Sequence, residues 1–363
     1  MMADEYTEWT VDELVAELRA RERARAGSAT RRGAEAMPAA APKDESQRGV
    51  PGVIPRFRRL SDLPSAELVT LVNVRQRAIY GVDDRKETFA VTDKKAQRLA
   101  DASVALVEAA DLTRSAAGSW QLTTTSYKAE YHLCSQEPFA AQPLGCFCSG
   151  VLVAPDVIAT AGHCVKSTRD LAHIRFVFGF RMIDDHSARV DFPAVDVYEG
   201  REVIGRQFSS DATDWALVRL DRPVTGRKPV TIRTLGKLAN TEPLFVIGHP
   251  CGLPQKFADG AHVRSNRPRA YFVANLDTYG GNSGSPVFSG RTYQLEGLLV
   301  RGQKDFVSTG SCNVSVVFPT TGREGEDVAR STEWARLVAT KKRASSAGKV
   351  RASQRSATGK RRR

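Results

Sequence analysis

Three short segments of this 363-residue sequence carry the residue types that acyl transfer requires. The segment TAGHC contains His163, DWALVRL begins with Asp214, and the glycine-rich GGNSGSPVF contains Ser283. A serine hydroxyl is a weak nucleophile that needs an adjacent base and a third group to orient the base. A glycine-rich turn also exposes backbone N–H donors to a developing oxyanion. We therefore predict a catalytic triad of His163, Asp214 and Ser283.

Each of these motifs also has a structural interpretation. GNSGSP alone occurs in tight turns, and a histidine next to a cysteine is more often structural than catalytic. Their joint occurrence in one order favours the triad, and the competing hypothesis is an inactive homologue that keeps the fold. Asp211 and Asp221 are alternatives for the acid, but the pattern D-x-A-L-x-x-L favours Asp214.

The segments that must position these residues are short apolar or alternating runs separated by Gly, Pro, Asn and Asp. Their length and their Val, Ile and Phe content favour strands, and many short strands indicate an all-β sandwich or barrel. The runs are ASVALVEAA (102–110), SGVLVAP (149–155), IRFVFGF (174–180), DWALVRL (214–220), PLFVIGHP (243–250), RAYFVANL (269–276), SPVF (285–288) and LEGLLVRG (295–302).

The composition changes along the chain and predicts four regions. A short amphipathic helix carries a capping-box pattern at Thr10 and Glu13, and a region without periodicity, rich in Ala, Gly, Pro and Arg, follows it. EWARLVATKK predicts a closing helix. The predicted regions are the helix at 1–26, a flexible linker or pro-segment at 27–60, the β domain at 61–338 with its internal boundary near 222–240, and a disordered basic tail at 339–363.

The net charge of +12 is concentrated at one end of the chain. Residues 341–363 contain ten Lys or Arg and no acid, which leaves a formal charge of +2 for the other residues. Such a tail is a solvated terminus or a non-specific, salt-sensitive tether to nucleic acid, an acidic partner or a membrane surface. The sequence contains no apolar run long enough for a membrane helix and no recognisable signal peptide, and we expect a monomer.

The three catalytic segments resemble the His, Asp and Ser motifs of trypsin-like serine peptidases, and their order is that of the chymotrypsin type. GNSGSP and YGVDDR (80–85) most resemble the bacterial glutamyl-endopeptidase-like branch, and IGHPCGLPQK and NLDTYGG are also similar to segments of such enzymes. The resemblance covers roughly 79–338. It implies an all-β fold of two packed six-stranded antiparallel barrels, with a polypeptide substrate and no cofactor.

The resemblance also implies roles for individual residues. The N–H groups of Gly281 and Ser283 would form the oxyanion hole, and a strand containing Val300, Arg301 and Gly302 would pair with substrate. Asp277, with Thr278 beside it, would lie at the floor of the specificity pocket and favour Arg or Lys on the acyl side of the cleaved bond. In an alternative interpretation, Arg301 is the partner of Asp277 and cancels that preference. The glutamate-selective branch typically has a histidine where this sequence has Leu299.

A second departure from the family concerns activation. Trypsin-type zymogens form an ion pair between a new N-terminus and an aspartate just before the nucleophile, and here that residue is Asn282. We predict that activity does not require such an ion pair.

The six cysteines are compatible with three disulfides, which form in oxidising compartments. The resemblance pairs Cys148 with Cys164, and the tentative remaining pairs are Cys134 with Cys146 and Cys251 with Cys312. The spacing of Cys and His does not match a usual zinc site, so no metal is expected.

Overall fold

The computed structural model describes residues 79–209, 213–301, 306–318 and 325–338, together with Glu17, which is helical. The chain divides into two compact units, Met1–Val74 and Arg75–Arg363. The linker, the basic tail and the rest of the N-terminal helix lie outside the described residues, so their boundaries stay predictions.

The secondary structure is mostly strand. The strands of the first half are β1 (Ile79–Tyr80), β2 (Arg85–Glu87), β3 (Ser103–Glu108), β4 (Leu112–Arg114), β5 (Trp120–Leu122), β6 (Thr125–Ser126), β7 (Pro143–Leu144), β8 (Cys148–Ala154), β9 (Val157–Thr160), β10 (Ile174–Phe178), β11 (Asp191–Phe192), β12 (Val197–Phe208) and β13 (Asp214–Leu220). Those of the second half are β14 (Pro243–Gly248), β15 (Lys256–Ser265), β16 (Tyr271–Ala274), β17 (Pro286–Ser289), β18 (Leu295–Arg301), β19 (Phe306–Ser308), β20 (Asn313–Ser315), β21 (Val317–Phe318) and β22 (Glu326–Arg330). Within the described residues from 79 onward, α1 (Lys94–Ala102) and α2 (Tyr127–Glu130) are the α-helices of the first half, and residues 335–338 are helical.

Six antiparallel strands close into the first barrel, in the order β10-β12-β13-β9-β8-β3. The packing of strand β3 explains why its residues are apolar on both faces. Leu106 packs in the main core, whereas its neighbours Ala105 and Val107 pack in a second cluster with Leu122 and Phe180. Because successive side chains of a strand point to opposite faces, a strand covered on both sides loses the polar alternation of a half-exposed one.

The second barrel has the order β14-β17-β18-β22-β16-β15 and is closed by pairing of β14 with β15, while β2 adds to β15. The strands that the apolar runs predict are therefore present, and the predicted pair of six-stranded antiparallel barrels is confirmed. Smaller sheets join β1 with β21, β4 with β5 and β11, β6 with β7, and β19 with β20. Trp334, at the start of the C-terminal helical residues, is fully buried in the main core.

The two barrels meet at the loops that carry the three predicted catalytic motifs. The backbone N–H of Ser149, on β8 of the first barrel, donates to the carbonyl of Ser283 before the second-barrel strand β17, at 2.8 Å. The fold thereby brings residues from both halves of the chain to one junction. Among the described residues, no helix is long and apolar enough to cross a membrane.

Candidate active site

His163, predicted as the base of the triad, lies on the turn that follows β9. Cys164, next to it, forms a disulfide with Cys148 on β8, so the turn is covalently tied to the neighbouring strand. The structure therefore contains the cysteine pair that the family resemblance implies.

Asp214 lies at the start of β13 and is almost fully buried. Its Oδ2 is 2.6 Å from Nδ1 of His163, and its Oδ1 accepts a hydrogen bond from the backbone N–H of His163 at 3.1 Å. Since both carboxylate oxygens bind one residue, the position of the turn and the orientation of the ring are set together.

Ser283 completes the arrangement from the second barrel. Its Oγ lies 2.7 Å from Nε2 of His163. The next residue, Gly284, has a φ of +82°, and a Cβ there would lie 2.2 Å from the carbonyl oxygen of Ser149. Only glycine fits this close approach. The close contact between the two chain segments places the Ser283 hydroxyl beside the imidazole of His163.

The glycine turn before Ser283 orients backbone amides. Asn282 N–H donates to Tyr279 O at 3.1 Å, and Gly281 has a φ of +80°, as the third residue of a type II turn requires. The carbonyl of Gly280 accepts from the backbone N–H of Cys251. Because the C=O and N–H of a trans peptide point in opposite directions, the N–H of Gly281 points away from Cys251. This geometry suits an oxyanion donor.

Asp277, predicted to lie at the floor of the specificity pocket, is buried and hydrogen-bonded to the chain around β1 and β2. Its Oδ1 accepts from Tyr80 N–H at 2.7 Å, and its Oδ2 accepts from Asp84 N–H at 3.0 Å. Burial raises the pKa of Asp277, against the lowering effect of these two donors. Burial and the neighbouring Asp277 also raise the pKa of Asp84. The two neighbouring carboxyl groups form an acidic pair, which we call the Asp84–Asp277 pair.

Arg301 does not pair with Asp277 as one alternative had it. Its Nε lies 3.7 Å from Oδ2 of Asp327, on the adjacent strand β22. Val300, also on β18, is fully buried. Gly302 and the alternative acid Asp211 lie outside the described residues, and Asp221 is just beyond the far end of β13, where it binds Arg222.

Sequence reasoning did not single out Glu326. This residue is fully buried, and its Oε2 accepts from Thr278 Oγ1 at 2.9 Å while its Oε1 accepts from Tyr80 OH at 3.3 Å. Glu326 therefore places a second carboxylate beside Thr278 and near the Asp84–Asp277 pair. The sequence has no local signal for this contact, because Glu326 lies 48 positions away from Thr278 and meets it only in the folded chain.

Arg85 is the last residue of the YGVDDR motif, and its position shows how this motif contacts the glycine turn. The guanidinium is buried, lies 4.2 Å above the ring of Tyr279, and is hydrogen-bonded to Asp83 at 2.7 Å. Tyr279 begins the turn that contains Gly281. The 79–87 segment therefore stabilises the glycine turn through a cation–π contact.

The tentative disulfide assignments of the other four cysteines were wrong. Cys134 is bonded to Cys312, because the loop at 133–134 pairs with the residue after Cys312: Cys134 N–H donates to Asn313 O at 3.0 Å. Cys146 packs against the satellite cluster of the first barrel, and Cys251 packs with Tyr127 in another cluster. Neither of these two thiols is part of a disulfide.

One cluster of possible metal ligands occurs among the described residues. Cys148, His163 and Cys164 bring their ligand atoms within 4.8 Å of one another. The two sulfurs are already joined in a disulfide, and the imidazole nitrogens face Asp214 and Ser283. A disulfide sulfur is not the thiolate that binds zinc, so this cluster does not fit a metal ion.

Comparison with known proteins places this geometry in context. Residues 148–298, which include all three triad positions, match the family model of the trypsin-like peptidase domain. No curated protein matches the sequence. Among solved structures, the chain is similar to a Glu endopeptidase in complex with MPD, with 16% identity and a TM-score of 0.43, over 73% of this chain and 99% of that chain.

Proposed function

We propose that this chain, a trypsin-like serine peptidase by the family that residues 148–298 match, hydrolyses polypeptides through an acyl-enzyme on Ser283. The observation that carries the proposal is the unbroken contact from carboxylate to hydroxyl. His163 lies 2.6 Å from Asp214 through one ring nitrogen and 2.7 Å from Ser283 through the other. These are the distances at which a base can take the proton of the nucleophile.

The proposed reaction has two stages. As Ser283 Oγ attacks the substrate carbonyl, Nε2 of His163 takes the hydroxyl proton, and the N–H groups of Gly281 and Ser283 stabilise the oxyanion. His163 then gives the proton to the leaving amine, and the acyl group stays on Ser283. A water molecule, deprotonated by His163, then attacks the ester. As the second tetrahedral intermediate collapses, the protonated His163 returns this proton to Ser283 Oγ, which releases the acid and restores the serine hydroxyl.

For the residue on the acyl side of the cleaved bond we propose Arg or Lys. Two buried carboxylates, Asp277 and Glu326, lie close together after β16 and at the start of β22. Arg301 lies 3.7 Å from Asp327, and the positive charge that acts on Asp277 is that of Arg85, which lowers its pKa against the raising effect of burial. Both oxygens of Asp277 already accept backbone N–H groups, so this carboxylate would attract a substrate cation through its charge rather than through a vacant acceptor position.

The two disulfides bear on where the enzyme works. Cys134–Cys312 and Cys148–Cys164 are typical of proteins from oxidising compartments. We therefore propose that the folded enzyme acts in such a compartment.

A fluorophosphonate probe tests the nucleophile, because only an activated serine reacts with it. We expect the wild type to be labelled and to cleave peptides. In Ser283→Ala, we expect turnover to fall by about 10⁵-fold or more. Ser285→Ala is the matched control, since Ser285 is buried in the same turn and donates to Asn282 Oδ1 at 3.1 Å. Labelling should survive in Ser285→Ala. An unlabelled wild type would instead favour a protease-fold binding module.

A further inference from the structure

A cleft of about 410 Å³ lies directly beside the glycine turn. Gly281 and Cys251 contribute one wall from the second barrel, and the stretch from Gly145 to Phe147 contributes another from the first. Phe147 immediately precedes Cys148, whose disulfide partner Cys164 follows the triad histidine. The cleft therefore adjoins the proposed catalytic residues.

The cleft and the strand β18 adjoin different stretches of the chain around Ser283. Gly284 N–H donates to Leu299 O at 2.8 Å and Leu299 N–H donates to Ser285 O at 2.9 Å, so β18 binds the chain after the nucleophile. Cys251, in the cleft wall, donates to Gly280 before the nucleophile, and no residue of β18 lines the cleft. If the acyl part of the substrate pairs with β18, the part that follows the scissile bond leaves through the cleft.

Three carboxylates line this cleft, and no Lys or Arg does. They are Glu108 at the end of β3, Asp111 in the following 3₁₀ turn, and Glu130 at the end of α2. Several other acids of the first barrel form ion pairs, for example Asp101 with Arg181 at 3.0 Å and Asp156 with Arg219 at 2.9 Å. Within the described residues, no ion pair uses any of the three cleft carboxylates.

This unbalanced charge has a consequence for substrate binding. Partial burial and the neighbouring Asp111 raise the pKa of Glu108, whereas His173 lowers it. A cationic side chain in the cleft would reduce the repulsion between the cleft carboxylates. An anionic one would add to it, because like charges at short range disfavour each other.

We propose that this cleft binds the residues that follow the scissile bond and selects Lys or Arg among them through Glu108, Asp111 and Glu130. The inference rests on the proposed peptidase function and adds a substrate class to it. The selectivity is separate from that of the acyl side, which involves Asp277 and Glu326 on the second barrel. The preferred substrates are polypeptides with basic residues just after the cleaved bond.

The test uses internally quenched peptides with one acyl-side sequence and either Lys-Arg, Ala-Ala or Glu-Glu after the cleaved bond. The readout is the ratio of kcat/KM between peptides for the same enzyme sample, so it does not depend on the fraction of active enzyme. We expect the Lys-Arg peptide to be cleaved about tenfold faster than the Ala-Ala peptide, since each exposed ion pair contributes modestly. The Glu-Glu peptide should be slowest.

Variants that neutralise the cleft carboxylates test whether these residues cause the preference. The triple variant Glu108→Gln, Asp111→Asn, Glu130→Gln should reduce the Lys-Arg to Ala-Ala ratio to about 1. Asp185→Asn removes an exposed carboxylate of the first barrel that does not line the cleft, and the ratio should stay at its wild-type value. Raising the salt concentration from about 0.05 M to about 0.5 M should also lower the wild-type ratio through screening.

Two failures are distinguishable. A wild type that reacts with fluorophosphonate but cleaves the Lys-Arg and Ala-Ala peptides equally would overturn this inference and leave the proposed function standing. So would a ratio that the triple variant does not change. A wild type that neither reacts with the probe nor cleaves any peptide would overturn the proposed function, and this inference with it.

Discussion

Two buried aspartates, one in each barrel, have similar burial and different surroundings. Asp214 of the first barrel binds one residue through both oxygens, the His163 ring at 2.6 Å and its backbone N–H at 3.1 Å. Asp277 of the second barrel binds two backbone N–H groups, from Tyr80 and Asp84. The first carboxylate is directed at a group that can carry a proton, whereas the second holds a chain segment in place. Burial of a carboxylate in a cleft therefore does not by itself identify a catalytic acid; its partners do.

The largest expected effect comes from the first of these aspartates. Asp214→Asn keeps the shape of the side chain, but its amide nitrogen can no longer accept from His163, so the ring loses its orienting partner or holds the wrong tautomer. We expect kcat to fall by about 10⁴-fold, as for an equivalent change in the triad template. Steady-state kinetics would measure this, with circular dichroism to show that the fold is retained. A fall of less than about tenfold would assign the orienting role elsewhere.

Asp277→Ala should act mainly on stability. It leaves the buried N–H groups of Tyr80 and Asp84 without their acceptor, and each such loss costs about 1–3 kcal/mol. We expect the free energy of unfolding to fall by about 2–4 kcal/mol, as measured by urea denaturation, while Ser283 still reacts with fluorophosphonate.

The same variant tests the acyl-side proposal. A panel of chromogenic peptides should show that the wild type prefers Arg or Lys and that Asp277→Ala weakens this preference. Fast turnover after Glu or Phe and none after Arg or Lys in the wild type would reject the proposal.

A smaller effect is expected from the pH dependence of the Asp84–Asp277 pair. Raised pKa values mean that the folded state binds protons more tightly than the unfolded chain does. The pair therefore contributes most to stability at low pH, and this contribution is lost as the pH rises from the ordinary range of aspartate through the raised values. Asp84→Asn removes one member of the pair.

The measurement is the difference in unfolding free energy between wild type and Asp84→Asn, followed from about pH 4 to about pH 8. Taking the difference cancels other titrations, such as that of His249, whose pKa burial lowers to about 4. The wild type should lose stability relative to the variant as the pH rises. A difference that stays constant with pH would show that the pair does not titrate in this range. Asp185→Asn, which removes an exposed carboxylate, is the control and should show no such trend.

Much of the fold and of the triad is readable in the sequence because the signals are local. Short apolar runs predict the strands, and TAGHC, DWALVRL and GNSGSP each place one predicted catalytic residue at the end of a strand or in a glycine turn. The order of these three motifs along the chain indicates a triad of the chymotrypsin type. Such features depend on neighbouring residues, and neighbours are visible in a sequence.

Tertiary structure decided the partners. Cys134 joins Cys312 across 178 positions, Asp277 binds the chain at Tyr80 and Asp84, and Glu326 reaches Thr278. Three carboxylates from separate elements line one cleft beside Gly281. None of these contacts has a local signal, because each depends on how the closed barrels bring distant loops together. The residue types that do chemistry could be recognised from the sequence alone, but which groups they meet, and hence how each charge is used, follows only from the folded chain.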